Sequence, residues 1–169
     1  HVSSSHPWVQ QFIKSQEPGI SNVFSPKQNL DWSNVVRPRS SSLFSQINTE
    51  DGPKQVWTTF GPDQIDLNWH NPKMTLEFLN LIITYLSNGI KWFRLDAVGF
   101  IWKESGTTCL HLPKAHSIVK LLRVLLNNLL DEGVLITETN VPQKENLSYL
   151  IPDDEAHMAY NFPLPPLLL

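Results

Sequence analysis

The sequence predicts an α/β fold in which helices alternate with parallel strands. Two stretches with helix-end signals, residues 71–89 and 113–133, are each followed directly by a short apolar run. Those runs, residues 90–98 and 134–139, have the length and composition of buried strands. Alternation of this kind is typical of crossover connections in a parallel sheet, which is either closed into a barrel or doubly wound.

The first part of the chain has a different composition. Residues 2–55 carry many Ser and Pro, as in NVFSPKQNLDWSNVVRPRSSSLFS, and they sustain neither a helical nor a strand period. We therefore expect a long irregular segment with short strands at most, of the kind that forms a lid or a small inserted subdomain. The best strand candidate in this part is QVWTTF, residues 55–60, because it is aromatic and β-branched.

The regular part of the chain begins near residue 70 with NPKMTLEFLNLIITYLSNG. Asn71 is expected to cap this helix, Pro72 to take its first position and Gly89 to end it. The strand IKWFRLDAV follows at once. The second helix is PKAHSIVKLLRVLLNNLLDEG, which has a Pro near its start and Gly133 at its end, and the second strand is VLITET.

Charged residues close both predicted strands. Arg94 and Asp96 share one face of the first strand because side chains alternate. Glu138 lies at the carboxyl end of the second strand, and parallel α/β folds gather their sites at that end. A retaining glycosidase needs two carboxyl groups about 5–5.5 Å apart. The alternative interpretation is an ion pair at the strand ends that only orients the loops.

The two carboxyl groups would have to differ in protonation. The guanidinium of Arg94 would favour the ionised form of Asp96, which suits a nucleophile. Glu138 would have to begin protonated, so its surroundings should raise its pKa.

Composition limits the partners and the compartment. The chain has 169 residues, 41% of them hydrophobic and 17% charged, and a formal net charge of -3, which gives no reason to expect nucleic acid. A neutral or weakly polar ligand fits better. No apolar run approaches the length of a membrane span, about 20 residues. The single cysteine, Cys109, excludes an internal disulfide framework and suits the cytoplasm.

Other chemistries find little support in the sequence. The six histidines show no spacing of four residues typical of a helical zinc site, so we interpret them as surface residues and expect no metal and no cofactor. Neither a Gly-x-Ser-x-Gly elbow nor a Gly-x-Gly phosphate loop occurs. The acidic run at residues 153–155 is interpreted as a solvated loop.

Several motifs carry a resemblance to a known family. FRLDAV and ITETN resemble the nucleophile and acid/base motifs of the alpha-amylase family of glycoside hydrolases. GFIWKESGTTC, TETNVPQKENLSY and NFPLPPLLL resemble its sucrose-phosphorylase-like subfamily more closely. The resemblance covers most of the chain and implies part of a (β/α)8 TIM barrel, about strands three to six. Residues 1–70 would be the end of strand three and an inserted, domain B-like subdomain, and residues 71–169 part of the catalytic barrel.

The resemblance implies a role for individual residues. Asp96 would be the nucleophile, Glu138 the general acid/base, and Arg94 the arginine that supports the nucleophile. HVSSSHPW resembles the end of a family motif in which His1 would hydrogen-bond the sugar. RPR, residues 37–39, and TTFGPDQIDLN resemble the acceptor loop, where the matching residues are Arg39, Phe60 and Gln64.

The implied reaction is retaining transfer of a glucosyl group from sucrose or a related α-glucoside to inorganic phosphate, giving α-glucose 1-phosphate. The alternatives are a hydrolase or transglucosidase of the same family, or a sugar-binding remnant without turnover. The enzyme could also form a homo-oligomer.

The sequence also departs from the family pattern. The third catalytic acid of the family has no motif here, and Gln143 stands where relatives often carry histidine. The chain begins at His1 without Met and ends in PLPPLLL. We therefore expect it to be a piece of a longer protein, inactive when isolated, because a complete barrel needs about 250 residues.

Overall fold

The computed structural model describes residues 1–27, 29–129, 133–139, 143–151, 153–162 and 164, without the side chain of Gln143. The chain divides into two compact units. The first comprises His1–Glu77 and Lys103–Leu110, and the second comprises Phe78–Trp102 and His111–Leu169.

The first unit is built from short elements and two small antiparallel sheets. Strand β1 pairs with β4, and β2 forms a hairpin with β3. The elements in chain order are β1 (Val2–Ser3), α1 (Pro7–Ile13), α2 (Gly19–Asn22), β2 (Phe44–Thr49), β3 (Gly52–Trp57) and β4 (Gln64–Ile65).

The first unit is more regular than the sequence indicated. Helix α1 begins at Pro7, and the ring Nδ1 of His6 caps it by accepting the backbone N–H of Trp8 at 3.2 Å. The expectation of an irregular segment with short strands at most was wrong for both helices, which are too short to display a period. The strand expected at residues 55–60 starts earlier, at Gly52, and ends at Trp57.

A buried ion pair accompanies the apolar core of the first unit. The core residues are Val9, Phe12, Val23, Val56 and Ile65. Beside Trp57, Lys103 Nζ lies 2.7 Å from a carboxylate oxygen of Asp66, and both side chains are almost fully buried. The hydroxyl of Thr59 donates a second hydrogen bond to Asp66 at 2.6 Å. Buried charges need such partners because isolated ones are costly to desolvate.

The second unit contains the predicted alternation of helices and parallel strands. Strands β5, β6 and β7 form one sheet in that order, and both pairings are parallel. The elements are α3 (Pro72–Ser87), β5 (Trp92–Asp96), a 3-10 turn (Val98–Phe100), α4 (Pro113–Leu129), β6 (Val134–Glu138), α5 (Gln143–Leu147) and β7 (Met158–Ala159). The first turn of α3 belongs to the first unit.

The ends of α3 follow the expected local chemistry. The side-chain oxygen of Asn71 accepts the backbone N–H of Lys73 at 3.1 Å, which is an N-cap hydrogen bond. Gly89 takes a φ of 83°, the left-handed conformation that commonly ends a helix. The predicted end of the second helix, residues 130–132, and most of the terminal NFPLPPLLL segment lie outside the described residues.

The core of the second unit lies between the sheet and its helices. Strand β5 contributes Phe93 and Leu95, and β6 contributes Leu135. Helix α4 packs against them through three residues, Val119, Leu122 and Leu126.

One acidic residue of the run 153–155 belongs to this packed interior. Glu155 is only 2% exposed, and its carboxylate lies 2.8 Å from the Nδ1 of His116 on α4. The interpretation of all three acids as a solvated loop was therefore wrong for Glu155. His116, whose ring stacks on buried Tyr149 at 4.1 Å, is likewise no simple surface histidine.

None of the helices in the described part of the chain has the length and apolar content that crossing a membrane requires.

Candidate active site

Two carboxyl groups meet at the carboxyl ends of neighbouring parallel strands. Burial alternates along β5, so that Phe93 and Leu95 face the helices while Arg94 and Asp96 lie on the other, exposed face. In the pairing of β5 with β6, Asp96 lies directly opposite Glu138. The shared face of Arg94 and Asp96, and the approach of the two acids, agree with the expectation from the sequence.

A hydrogen bond with Asp96 is the largest influence on the pKa of Glu138. This hydrogen bond, partial burial and the neighbouring charge of Asp96 raise the pKa of Glu138, while the positive charge of Arg94 acts in the opposite direction. The raised pKa of Glu138 suits a general acid.

Arg94 contacts both Asp96 and an aromatic ring. Its Nη2 lies 3.8 Å from Oδ1 of Asp96, and its guanidinium carbon lies 5.5 Å from the centre of the Tyr160 ring. A hydrogen bond with the Tyr160 side chain, followed by the charges of Asp96 and Glu138, raises the pKa of Arg94. Arg94 is therefore a permanent positive charge beside the two acids.

The turn that follows Asp96 begins with a residue in an unusual backbone conformation. Ala97 takes a φ of 50°, a left-handed conformation that is uncommon for a residue with a Cβ. Its backbone N–H donates a hydrogen bond to the Glu138 carboxyl group, which lowers the pKa of Glu138 and so opposes the larger effect of Asp96. Non-glycine residues in this region carry strain and often lie at functional sites.

Asn146 links the ends of the neighbouring segments. Its side-chain oxygen accepts the hydroxyl of Thr139 at 2.7 Å, and its side-chain nitrogen donates to the backbone oxygen of Tyr160 at 2.7 Å. The backbone N–H of Tyr160 donates to the backbone oxygen of Thr137 at 3.0 Å. Reasoning from the sequence assigned no role to Asn146 or Tyr160, because their contacts join segments that no local pattern relates.

The first unit brings together three of the other predicted residues. Pairing of β1 with β4 places His1 next to Gln64, and the amide nitrogen of Gln64 lies 3.0 Å from Nε2 of His1. The rings of His1 and Phe60 are 5.3 Å apart. Arg39 is exposed in the segment between α2 and β2.

The chain resembles known proteins in sequence and in fold. The family model "Alpha amylase, catalytic domain" matches residues 1–167. The chain is 46% identical over 170 residues to the glucosylglycerate phosphorylase of Allomeiothermus silvanus, with 100% of this chain and 31% of the relative covered. It is 45% identical over 172 residues to the Escherichia coli K12 protein of the same name, with the same coverage. The chain thus spans about a third of the length of these curated relatives.

Solved structures share the fold. The sucrose 6F-phosphate phosphorylase of Thermoanaerobacter thermosaccharolyticum superposes with a TM-score of 0.81 at 23% identity, over 98% of this chain and 36% of that one. The isomaltulose synthase of Klebsiella sp. LX3 gives a TM-score of 0.80 at 22% identity, over 99% and 33%. These neighbours are (β/α)8 barrels, so the predicted fold class is confirmed. The chain therefore belongs to the alpha-amylase family and carries part of its catalytic domain.

Proposed function

We propose that the protein transfers a glucosyl group from an α-glucoside to inorganic phosphate with retention of configuration. The observation that carries this proposal is the pairing of Asp96 with Glu138, in which the hydrogen bond between them raises the pKa of Glu138. A carboxylate beside an arginine and a second acid with a raised pKa are the two groups that a retaining mechanism requires.

The relatives support a particular donor. Three glucosylglycerate phosphorylases are 43–46% identical to this chain over its whole length. We therefore propose glucosylglycerate as the donor ahead of sucrose. Phosphate would be the acceptor and α-glucose 1-phosphate the product.

The proposed mechanism has two displacements. A carboxylate oxygen of Asp96 attacks the anomeric carbon while the bond to the glycerate oxygen breaks, and that oxygen takes the proton of Glu138. The result is a β-glucosyl ester of Asp96 and a free glycerate. A phosphate oxygen then attacks the same carbon from the opposite side and gives its proton to Glu138, which frees Asp96, returns Glu138 to its protonated form and restores the α configuration.

Residues 1–70 would serve as an inserted, domain B-like region that supplies sugar and acceptor contacts. His1, Gln64 and Phe60 adjoin one another there. We propose that His1 hydrogen-bonds the glucosyl unit, that Phe60 and Gln64 line the pocket, and that Arg39 contacts phosphate. Arginine suits this last role because its planar guanidinium matches a phosphate group.

The test uses the full-length protein with glucosylglycerate and phosphate. We expect α-glucose 1-phosphate, identified as the α anomer by NMR, and we expect Asp96→Asn to abolish its formation. A 2-deoxy-2-fluoroglucosyl fluoride should add one sugar to the wild type and none to Asp96→Asn, as measured by intact mass. Glu77→Gln, which changes an exposed carboxylate on α3, is the matched control and should remain active.

Formation of the β anomer would contradict the two-step mechanism. Release of free glucose from every donor, at all phosphate concentrations, would favour the hydrolase instead.

A further inference from the structure

We infer that Tyr160 is a positioning residue that holds the Arg94 guanidinium beside Asp96, and that Asn146 fixes the backbone of Tyr160 for this purpose. The inference deepens the proposed glucosyl transfer and rests on it for its kinetic meaning. The geometric part of the inference, that Tyr160 restrains Arg94, can be measured without turnover.

The ion pair with Asp96 alone would leave the Arg94 side chain much conformational freedom. Its side chain is 46% exposed and reaches Asp96 only at 3.8 Å. An exposed ion pair at such a distance restrains a long side chain weakly, because the entropy of that chain opposes a single geometry. A second contact is needed to keep the guanidinium at the acids.

Tyr160 supplies that contact. Its ring centre lies 5.5 Å from the guanidinium carbon of Arg94, within the range of a cation–π contact. A hydrogen bond with the Tyr160 side chain is also the largest influence that raises the pKa of Arg94. Arg94 thus contacts both the Tyr160 ring and the Asp96 carboxylate.

The backbone of Tyr160 is itself fixed to the segment that carries Glu138. Its N–H donates to Thr137 and its carbonyl oxygen accepts from Asn146, which is 7% exposed. Asn146 also accepts from Thr139, the residue after Glu138. The oxygen and the nitrogen of the Asn146 side-chain amide therefore both make hydrogen bonds. Together they connect Thr139, at the end of the strand that carries Glu138, to Tyr160.

The position of Arg94 matters for both acids. Its positive charge lies 3.8 Å from the Asp96 carboxylate, and it opposes the rise in the pKa of Glu138. The titratable groups that face Arg94 in the described part of this unit are Asp96, Glu138 and Tyr160. Movement of Arg94 into solvent would remove its charge from the Asp96 nucleophile. It would also allow the pKa of Glu138 to rise further.

The test is a double-mutant cycle in the full-length protein. Tyr160→Phe keeps the ring and removes the hydroxyl, so it should preserve folding. We expect it to lower the rate of glucosyl transfer by about 10-fold, the scale of one hydrogen bond to a charged group. The loss should appear with both glucosylglycerate and α-glucosyl fluoride, because a weakened nucleophile affects both donors. In the Arg94→Lys background, Tyr160→Phe should lower the rate of glucosyl transfer by less than about 2-fold.

The matched control is Tyr85→Phe. Tyr85 on α3 is 42% exposed and Tyr160 is 41% exposed, so the two changes remove a hydroxyl group from side chains of similar exposure. Tyr85→Phe should leave the rate of glucosyl transfer unchanged in both backgrounds.

The second readout does not depend on activity. The exchange of the Arg94 Nε proton with water can be followed by NMR after selective arginine labelling, with its signal identified by its loss in Arg94→Lys. We expect exchange to be several-fold faster in Tyr160→Phe and in Asn146→Leu than in the wild type or in Tyr85→Phe. An unchanged exchange rate in Tyr160→Phe overturns the inference whatever the activity.

The two proposals can fail separately. If the wild type transfers glucose but Tyr160→Phe costs the same factor in both Arg94 backgrounds, the inference is wrong and the proposed function stands. If the wild type transfers no glucose while exchange at Arg94 responds to Tyr160, the function is wrong and the restraint of Arg94 by Tyr160 stands.

Discussion

Glu138 can serve as an acid only while it holds a proton. The hydrogen bond with Asp96 and partial burial raise its pKa, so the protonated form should persist above the ordinary range of a glutamic acid, about 4.3. We expect kcat/KM for glucosylglycerate to fall as the pH rises through this raised pKa. This fall in kcat/KM should be weak with α-glucosyl fluoride, because its leaving group needs no proton. The measurement is a pair of pH profiles on the same enzyme.

A variant at Glu138 checks the same role. Glu138→Ala should reduce kcat/KM far more for glucosylglycerate than for α-glucosyl fluoride. Equal losses on the two donors would remove the acid role from Glu138.

Arg39 and Arg37 offer a matched pair for the acceptor. Both are exposed and flank Pro38. If Arg39 contacts phosphate, Arg39→Ala should raise the KM for phosphate and divert the glucosyl enzyme to water, while Arg37→Ala should change little. The measurement is the ratio of glucose 1-phosphate to free glucose as phosphate is titrated. The same ratio in all three proteins would show that neither arginine selects the acceptor.

The pairing of the two acids could be predicted because two local facts determine it. Alternation along a strand puts Arg94 and Asp96 on one face, and the parallel order of elements puts Glu138 at the same rim. The contacts of Tyr160 and Asn146 could not be predicted in this way. They depend on which segments lie side by side after folding, and neither residue belongs to a periodic pattern.

At the level of secondary structure elements, helix α4 is joined to the segment before β7 by acidic residues of unequal burial. Glu155 is 2% exposed and pairs with His116, whereas the Asp154 side chain is 55% exposed and pairs with Lys120 at 2.9 Å. Glu155→Gln should lower the free energy of unfolding by about 2–3 kcal/mol, because it leaves buried partners incompletely satisfied. Asp154→Asn, an exposed control, should cost less than about 1 kcal/mol.

The measurement is the shift of the urea midpoint in otherwise identical proteins. Equal shifts for the two variants would mean that the burial of Glu155 does not contribute to stability.

The length and apolar content of the helices and strands explain which of them could be predicted from the sequence. Helices α3 and α4 and strands β5 and β6 are long or apolar enough to show a pattern, and their order along the chain predicts a parallel sheet. Helix α1 spans 7 residues and α2 spans 4, so neither repeats its apolar face often enough to stand out. The burial of Glu155 depends on its contact with His116 of α4. Residues adjacent to Glu155 in the sequence do not predict this contact.

On the scale of the whole molecule, the 169-residue chain leaves much apolar surface exposed. Leu76, Leu81, Ile83 and Tyr85 on α3 and Trp92 on β5 are all at least 39% exposed. Within the described residues the parallel sheet has three strands, whereas a closed barrel of this family has eight. Open strand edges and apolar patches favour association.

We therefore expect the 169-residue polypeptide, expressed alone, to self-associate and to show negligible turnover. Light scattering after size exclusion would measure its mass, and a donor assay on the same fractions its activity. A monodisperse monomer that cleaves glucosylglycerate would contradict this prediction.

The register that sets Asp96 opposite Glu138 also limits how this part of the protein can change in length during evolution. Deletion of one residue within β5 would turn Arg94 and Asp96 toward the helices and Phe93 and Leu95 toward the open face, because side chains alternate. Deletion of two residues would keep the faces but move the carboxylate along the strand by about 6.6 Å. Insertions and deletions are therefore expected only in the connections beyond the strand ends, where new acceptor contacts can arise without displacing the two acids.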